Sequence, residues 1–148
     1  MTPPATAPSV VLDTNVVSEL MRGAPDARVR SWVAGLRPTA VCTTAVTVAE
    51  VRSGIARLPA GRRRTLLGST ADDVFAAFSA RVLPFDAVAA GRYADVVIER
   101  ELAGAPISGF DAQIAAICRA HGALLATRNP TDFDRLGLEL VDPWGAAQ

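Results

Sequence analysis

Apolar positions along this chain fall into two kinds of run that alternate. Short, nearly unbroken apolar runs at residues 9–12, 40–43, 82–83, 124–126 and 140–141 have the length and composition of buried strands. Longer stretches between them space their apolar residues by three and four, the period of a helix with one buried face. Asp13-Thr14-Asn15 supplies helix-start chemistry ahead of Val16, Val17 and Leu20. Pro25-Asp26 opens a second helix with Val29, Trp32, Val33 and Leu36 on one face. A third runs from Thr44 through Glu50 to about Leu58, with Val48, Val51, Arg52 and Ile55 in register. Residues 62–80 carry Leu66, Leu67, Val74 and Phe78, and residues 86–102 carry Val88, Tyr93, Val96 and Val97. The last helix, 108–121, brings Phe110, Ile114, Ile117 and His121 to one face. Short strands alternating with helices predict an α/β fold with a short, mostly parallel sheet, in which sites gather at the carboxyl ends of strands.

Residues 1–8, rich in Pro, Ala and Thr, read as a flexible tail ahead of one domain spanning 9–148. Half of the 148 residues are hydrophobic, enough for a core without staples. Cys42 and Cys118 sit in apolar runs and form no Cys-x-x-Cys, so they read as buried thiols of a reducing compartment. No apolar run approaches the ~20 residues of a membrane span, and the start lacks the regions of a signal peptide. The expected location is cytoplasmic.

The formal net charge is zero, so any nucleic-acid contact must come from a local patch. All 15 basic residues are arginine, which excludes every mechanism that needs a lysine. Arg62-Arg63-Arg64, with Arg57 near it, is the densest cluster and reads equally as an RNA surface or a solvated helix face.

Four acids carry the chemistry. Asp13 ends the first strand, Asp111 stands in the first turn of a helix, and Asp132 follows the strand-loop that ends at Asn129. Glu50 lies in an apolar helical context, Val46-Thr-Val-Ala-Glu-Val51, with Gly54 leaving open space one turn later. A carboxylate there needs a partner. Each acid also has a structural reading. Asp13 is a plausible N-cap, Asp111 completes capping-box spacing with Ser108, Asp132 can cap a turn at Phe133, and Glu50 can be solvated. Converging carboxylates without His or Cys favour a hard, oxygen-seeking cation, Mg²⁺ or Mn²⁺. Zinc is disfavoured because His121 is the sole histidine and neither cysteine has a partner at ligand spacing.

At these residues the sequence resembles the PIN-domain nucleases, in particular the toxins of VapBC-type toxin–antitoxin pairs and their FitB-like branch. The segments are Val10-Val-Leu-Asp-Thr-Asn-Val-Val-Ser-Glu-Leu20, Thr47-Val-Ala-Glu-Val-Arg-Ser-Gly-Ile55, Phe110-Asp-Ala-Gln-Ile-Ala-Ala-Ile117 and Ala126-Thr-Arg-Asn-Pro-Thr-Asp-Phe133, closed by Val141-Asp-Pro-Trp144. The resemblance implies a three-layer α/β/α sandwich and a metal-dependent endoribonuclease. It makes Asp13 and Asp111 direct metal ligands and matches Glu50 and Asp132 to the other acidic motifs. Thr14, Asn15, Arg128 and Asn129 match neighbouring, supporting positions. It further implies an RNA substrate, products with 5′-phosphate and 3′-hydroxyl ends, a small cognate antitoxin and a homodimer. The helices bearing Val29, Trp32 and Val33, or Leu66 and Leu67, are the faces offered for self-association. The alternative is a catalytically degenerate PIN fold that only binds a partner, against which the intact acids speak.

Three other phosphoryl-transfer classes fail on residues. A haloacid-dehalogenase-type phosphatase needs a second Asp where Asn15 stands, a response-regulator receiver needs a late lysine, and no GxxxxGK[ST] exists for a P-loop.

Overall fold

The computed structural model describes residues 8–145, so residues 1–7 of the expected tail lie outside the described residues. Five strands form one sheet: β1 (Val10–Leu12), β2 (Val41–Thr44), β3 (Val82–Leu83), β4 (Leu124–Ala126) and β5 (Leu140–Val141). Their order is β3-β2-β1-β4-β5, and every pairing is parallel. The chain builds outward from β1 to β2 and β3, then crosses back to lay β4 on the other side of β1. The gap between the carboxyl ends of β1 and β4 is therefore the topological switch point, where open α/β sheets bind ligands.

The helices are α1 (Thr14–Leu20), α2 (Ala27–Ala34), α3 (Ala45–Ala56), α4 (Arg62–Phe78), α5 (Ala87–Leu102) and α6 (Gly109–His121). Five start on a side-chain cap: Asp13, Asp26, Thr44, Asp86 and Ser108 each accept a hydrogen bond from a backbone N–H of the first turn. Strand alternation divides the interior. Val11 of β1 and Leu125 of β4 join Val96 of α5 and Ile114 and Ile117 of α6 on one face of the sheet. Val10 and Leu12 point to the other face, with Val16 and Val17 of α1, Val29 of α2 and Phe75 and Phe78 of α4. Two apolar layers thus cover a sheet buried on both sides, which is why its strands are continuous apolar runs.

Strand and helix positions match the expectation to within about two residues, the usual fraying of element ends. The main difference at an end is in α4, which stops at Phe78; a 3-10 turn, Ser79–Arg81, follows with Ser79 at a φ of 51°. The expected faces are less well matched. Ala112 and the whole run from Ile114 to Cys118 are buried in α6, whereas Phe110 and His121 are exposed. Sandwiched between sheet and α5, that helix is buried around most of its girth along its middle, and its two ends are open to solvent. Val29 is fully buried, and Trp32 and Val33, half-buried, pack on the same core, so α2 presents only part of the apolar face expected for self-association. Leu66 remains exposed, and so do Val88, Ile98, Leu102 and Phe110 on α5 and the start of α6. Both cysteines are buried free thiols, and burial raises their pKa, which makes them inert. Among the described residues no helix is long and apolar enough to cross a membrane.

The α5 cap isolates one local term. Asp86 accepts from the Ala89 N–H at 3.0 Å. Asp86→Ala is expected to lower unfolding stability by about 1 kcal/mol, read as a denaturant-midpoint shift at unchanged slope.

Candidate active site

Asp13 is the first residue past β1, and its backbone N–H continues the β1–β4 ladder onto Ala126 O at 2.9 Å. That pairing sets Asp13 beside Thr127, the first residue past β4. Thr127 is fully buried and its hydroxyl donates to Asp13 Oδ2 at 2.8 Å. Asp13 Oδ1 accepts from the Thr14 N–H at 2.8 Å, the cap of α1. Thr127 Oγ1 in turn accepts from the Asn129 N–H at 3.1 Å and from Asn15 Nδ2 at 3.4 Å, while Asn15 Oδ1 accepts from the Arg128 N–H at 3.2 Å. The switch point is thus closed by a network in which Asn15, Arg128 and Asn129 take part through backbone and amide groups.

Glu50 comes to the same place from α3. Its Oε1 accepts from the Thr14 hydroxyl at 2.8 Å. Thr14 Oγ1 also lies 3.0 Å from Thr47 Oγ1. A hydroxyl has a single proton to give, so Thr47 donates to Thr14 and Thr14 to Glu50. The expected partner for this half-buried carboxylate is therefore a relay of threonines.

Asp111 is half-buried in the first turn of α6, where its N–H donates to Ser108 Oγ at 3.2 Å. Asp132 is exposed on the 3-10 turn Pro130–Phe133. No side chain caps that turn, so the capping role open to Asp132 is not realised. The turn is held by Arg100, a buried arginine of α5 whose Nη1 donates to the backbone carbonyls of Asp132 at 2.7 Å and Asp134 at 3.2 Å.

The electrostatics tie the four acids together. Burial pushes the Asp13 carboxyl up to about 6, with the Asp111 and Glu50 charges adding to the rise and the Thr127 and Thr14 hydrogen bonds opposing it. Asp111 is also raised, first by burial and then by Asp132, against the pull of Ser108 and Arg100. None of the four has an ion pair among the described residues, although Glu19, Asp26, Asp72 and Glu99 all have one. One buried carboxylate, two half-buried ones and one exposed one, none of them ion-paired among the described residues, are a donor set suited to a hard cation. Among the described residues, no three acids, His or Cys stand close enough to form a ready-made metal cage. This still fits Mg²⁺, which keeps several waters and is commonly held by one or two carboxylates.

Sequence reasoning missed Thr127, Thr47 and Arg100 as site residues. Thr127 stands inside a quoted segment, but its importance rests on β4 lying next to β1, and chain order does not reveal that. Arg100 carried a weak signal, an arginine on the helix face shared with Val96 and Val97.

Three comparisons bear on this arrangement. The PIN-domain family model matches residues 10–138. The VapC ribonuclease Y4jK of Sinorhizobium fredii is 41% identical over 139 residues, covering 93% of this chain and 99% of that protein. The toxin FitB of Neisseria gonorrhoeae is 35% identical over 136 residues, covering 91% and 98%. The crystal structure of FitAcB from Neisseria gonorrhoeae superposes with a TM-score of 0.86 at 34% identity, covering 92% of this chain and 99% of the other.

The raised Asp13 carboxyl has a consequence for stability. Unfolded, it titrates near 3.8; folded, near 6. Below both values the group is neutral in either state and adds no penalty. As pH rises from about 4 to 6 the unfolded chain loses its proton first, so native stability falls, by about 3 kcal/mol across the window. Asp13→Asn is expected to remove this fall and to leave the protein more stable than wild type at pH 7 without divalent metal. Urea midpoints from pH 4 to 7 in chelator test this; parallel curves for the two proteins would refute it.

Proposed function

The chain belongs to the PIN-domain family, and on that premise we propose that it is a Mg²⁺-dependent endoribonuclease, the toxin of a type II toxin–antitoxin pair. The observation that supports this most is the buried Asp13 carboxylate at the switch point, crowded by Glu50 and Asp111 and given hydroxyl and amide donors but no cation. Such a site asks for a divalent ion and suits a substrate that brings negative charge to it. The sequence likeness to a VapC ribonuclease and to the toxin FitB points the same way.

Asp13 and Asp111 would hold Mg²⁺ directly, with Glu50 and Asp132 on its waters; Mn²⁺ suits the same oxygens. Bound there, Mg²⁺ neutralises charge on the phosphodiester and lowers the pKa of water. The chain's own groups do the rest. Thr127 and the Thr14 N–H fix the two Asp13 oxygens, so the carboxylate cannot rotate away. The Thr47–Thr14 relay orients Glu50, whose carboxylate accepts a proton from the attacking water. Arg100 holds the backbone that carries Asp132. Arg128, exposed, stacks its guanidinium 4.7 Å from the centre of the Trp144 ring and is steadied there as a cation for a substrate phosphate. In-line attack leaves a 5′-phosphate and a 3′-hydroxyl.

A nuclease toxin must be silenced by its partner. The concentrated negative charge of the acids favours an inserted arginine or lysine from a small antitoxin, which excludes metal and neutralises the site together. For self-association, α5 offers the exposed apolar residues Val88, Ile98 and Leu102, and α4 offers Leu66.

Two outcomes are expected. RNA cleavage should require Mg²⁺ or Mn²⁺ and stop in EDTA. Asp13→Asn and Asp111→Asn should each lower turnover by about a thousandfold or more, in the range of removing a main electrostatic element, while circular dichroism stays unchanged; full cleavage in EDTA would sink the reading. In light scattering at tens of micromolar, the wild type should be a dimer. Leu102→Glu, placed on the most exposed of these apolar residues at 84% exposure, should shift it to monomer. An unchanged mass would move the interface elsewhere.

A further inference from the structure

A pocket of about 330 Å³ opens beside the acids. Thr14 and Glu50 form the wall it shares with the active site, and Met21, Ile55 and Leu67 form apolar sides drawn from the end of α1, from α3 and from α4. Arg63, the middle arginine of the triplet at the start of α4, stands among the lining residues. It is exposed and has no ion-pair partner among the described residues. Gly54 completes the α3 wall, and a Cβ built there meets nothing within 4 Å. Neither a positive φ nor a close neighbour requires glycine at this position, and in a helix interior glycine is less stable than alanine by about fivefold in equilibrium terms. Its missing side chain leaves the pocket open.

We infer that this pocket receives the unpaired base of a nucleotide flanking the scissile phosphate, with Arg63 lying over the base at the rim. The inference rests on the ribonuclease reading above. Thr14 and Glu50 belong to both the site and the pocket, so a strand with its phosphate at Asp13 that runs toward them brings its neighbouring nucleotide to the pocket mouth. Sequence-specific recognition of RNA works on unpaired bases turned out of the strand into apolar slots and against guanidinium planes. Arg22, paired with Glu19 at 3.4 Å, borders the pocket on the side of the anionic backbone, while Arg63 and the apolar surface are left for the flat face of the base. The pocket is within the size range of small-ligand sites, about 300–1,000 Å³. It gives the arginine triplet a division of labour, one arginine at a defined site and two on a solvated face.

The test measures kcat/KM with Mg²⁺ on short single-stranded oligoribonucleotides cut at one bond. One set is intact; the others lack a base at one flanking position. Removing the recognised base should lower wild-type kcat/KM by about tenfold or more, the order of one stacked base. Gly54→Leu, which fills the pocket, should lose a similar factor on the intact RNA and little more on the abasic one, since both changes remove the same contact. Arg63→Ala should show the same non-additivity with a smaller loss. Losses that simply multiply, or variants that cut intact RNA at the wild-type rate, would overturn the inference. So would unchanged RNA cleavage combined with weakened antitoxin inhibition, which would assign the pocket to the partner's peptide. If Gly54→Leu does not fold, as judged by its thermal midpoint, the exposed Arg63→Ala decides. A wild type that cuts no RNA in Mg²⁺ brings down the ribonuclease reading and this inference together; a wild type that cuts without base coupling brings down this inference alone.

Discussion

The burial of the Asp13 carboxylate at the end of the central strand sets the terms for everything around it. Burial, reinforced by the Asp111 and Glu50 charges, drives the group toward its neutral form, and after two hydrogen bonds partly offset this its carboxyl still stands at about 6. Both bonds are also structural. The Thr14 N–H that Asp13 accepts is the cap of α1, and the Thr127 hydroxyl belongs to the strand that flanks β1. The side chain that carries the chemistry is thus the one that starts the first helix and ties β1 to β4. An acid reading and a capping reading of Asp13 are not alternatives, because its two oxygens serve both.

Among the described residues no arginine forms an ion pair with the four acids, although the Arg100 charge pulls the Asp111 carboxyl down. Arg100, buried beside the turn of Asp132, spends its donors on the carbonyls of Ala105, Asp132 and Asp134. Arg119 binds Leu136 O and pairs with Glu99, and Arg128 lies on Trp144. With no lysine in the chain, the local charge at the switch point stays negative. Threonine hydroxyls, which orient a carboxylate without neutralising it, take the places that ion pairs fill elsewhere on the surface. That keeps like charges close together at a cost to the folded state, which is a common price of a preorganised site.

Helix α3 joins these functions. Val46 and Val51 go to opposite cores, Thr47 and Glu50 face α1, and Gly54 and Ile55 line the pocket. Thr44 fixes where it starts by accepting from the Thr47 N–H at 3.1 Å. Because the core residues sit between the functional ones, a shift of this helix would move the acid and the pocket together.

The amino-acid sequence by itself determined the elements. Strand runs, helix periods and the caps Asp13, Asp26, Thr44, Asp86 and Ser108 are local signals, since hydrogen bonding within a turn and burial of one face depend on residues a few positions apart. It also marked the acids, because their positions at strand exits and helix entries are local too, and the missing side chain at Gly54. Only the tertiary structure decided which elements meet. The adjacency of β1 and β4 makes Thr127 a partner of Asp13 across 114 positions, and the docking of α3 on α1 joins Glu50 to Thr14 across 36. It also decided which apolar faces are spent: Val29 disappears into the core and Trp32 is half-covered, while Leu102 and Phe110 stay exposed. Periodicity shows that a helix has an apolar face, but whether that face is covered depends on long-range packing, which no local pattern encodes.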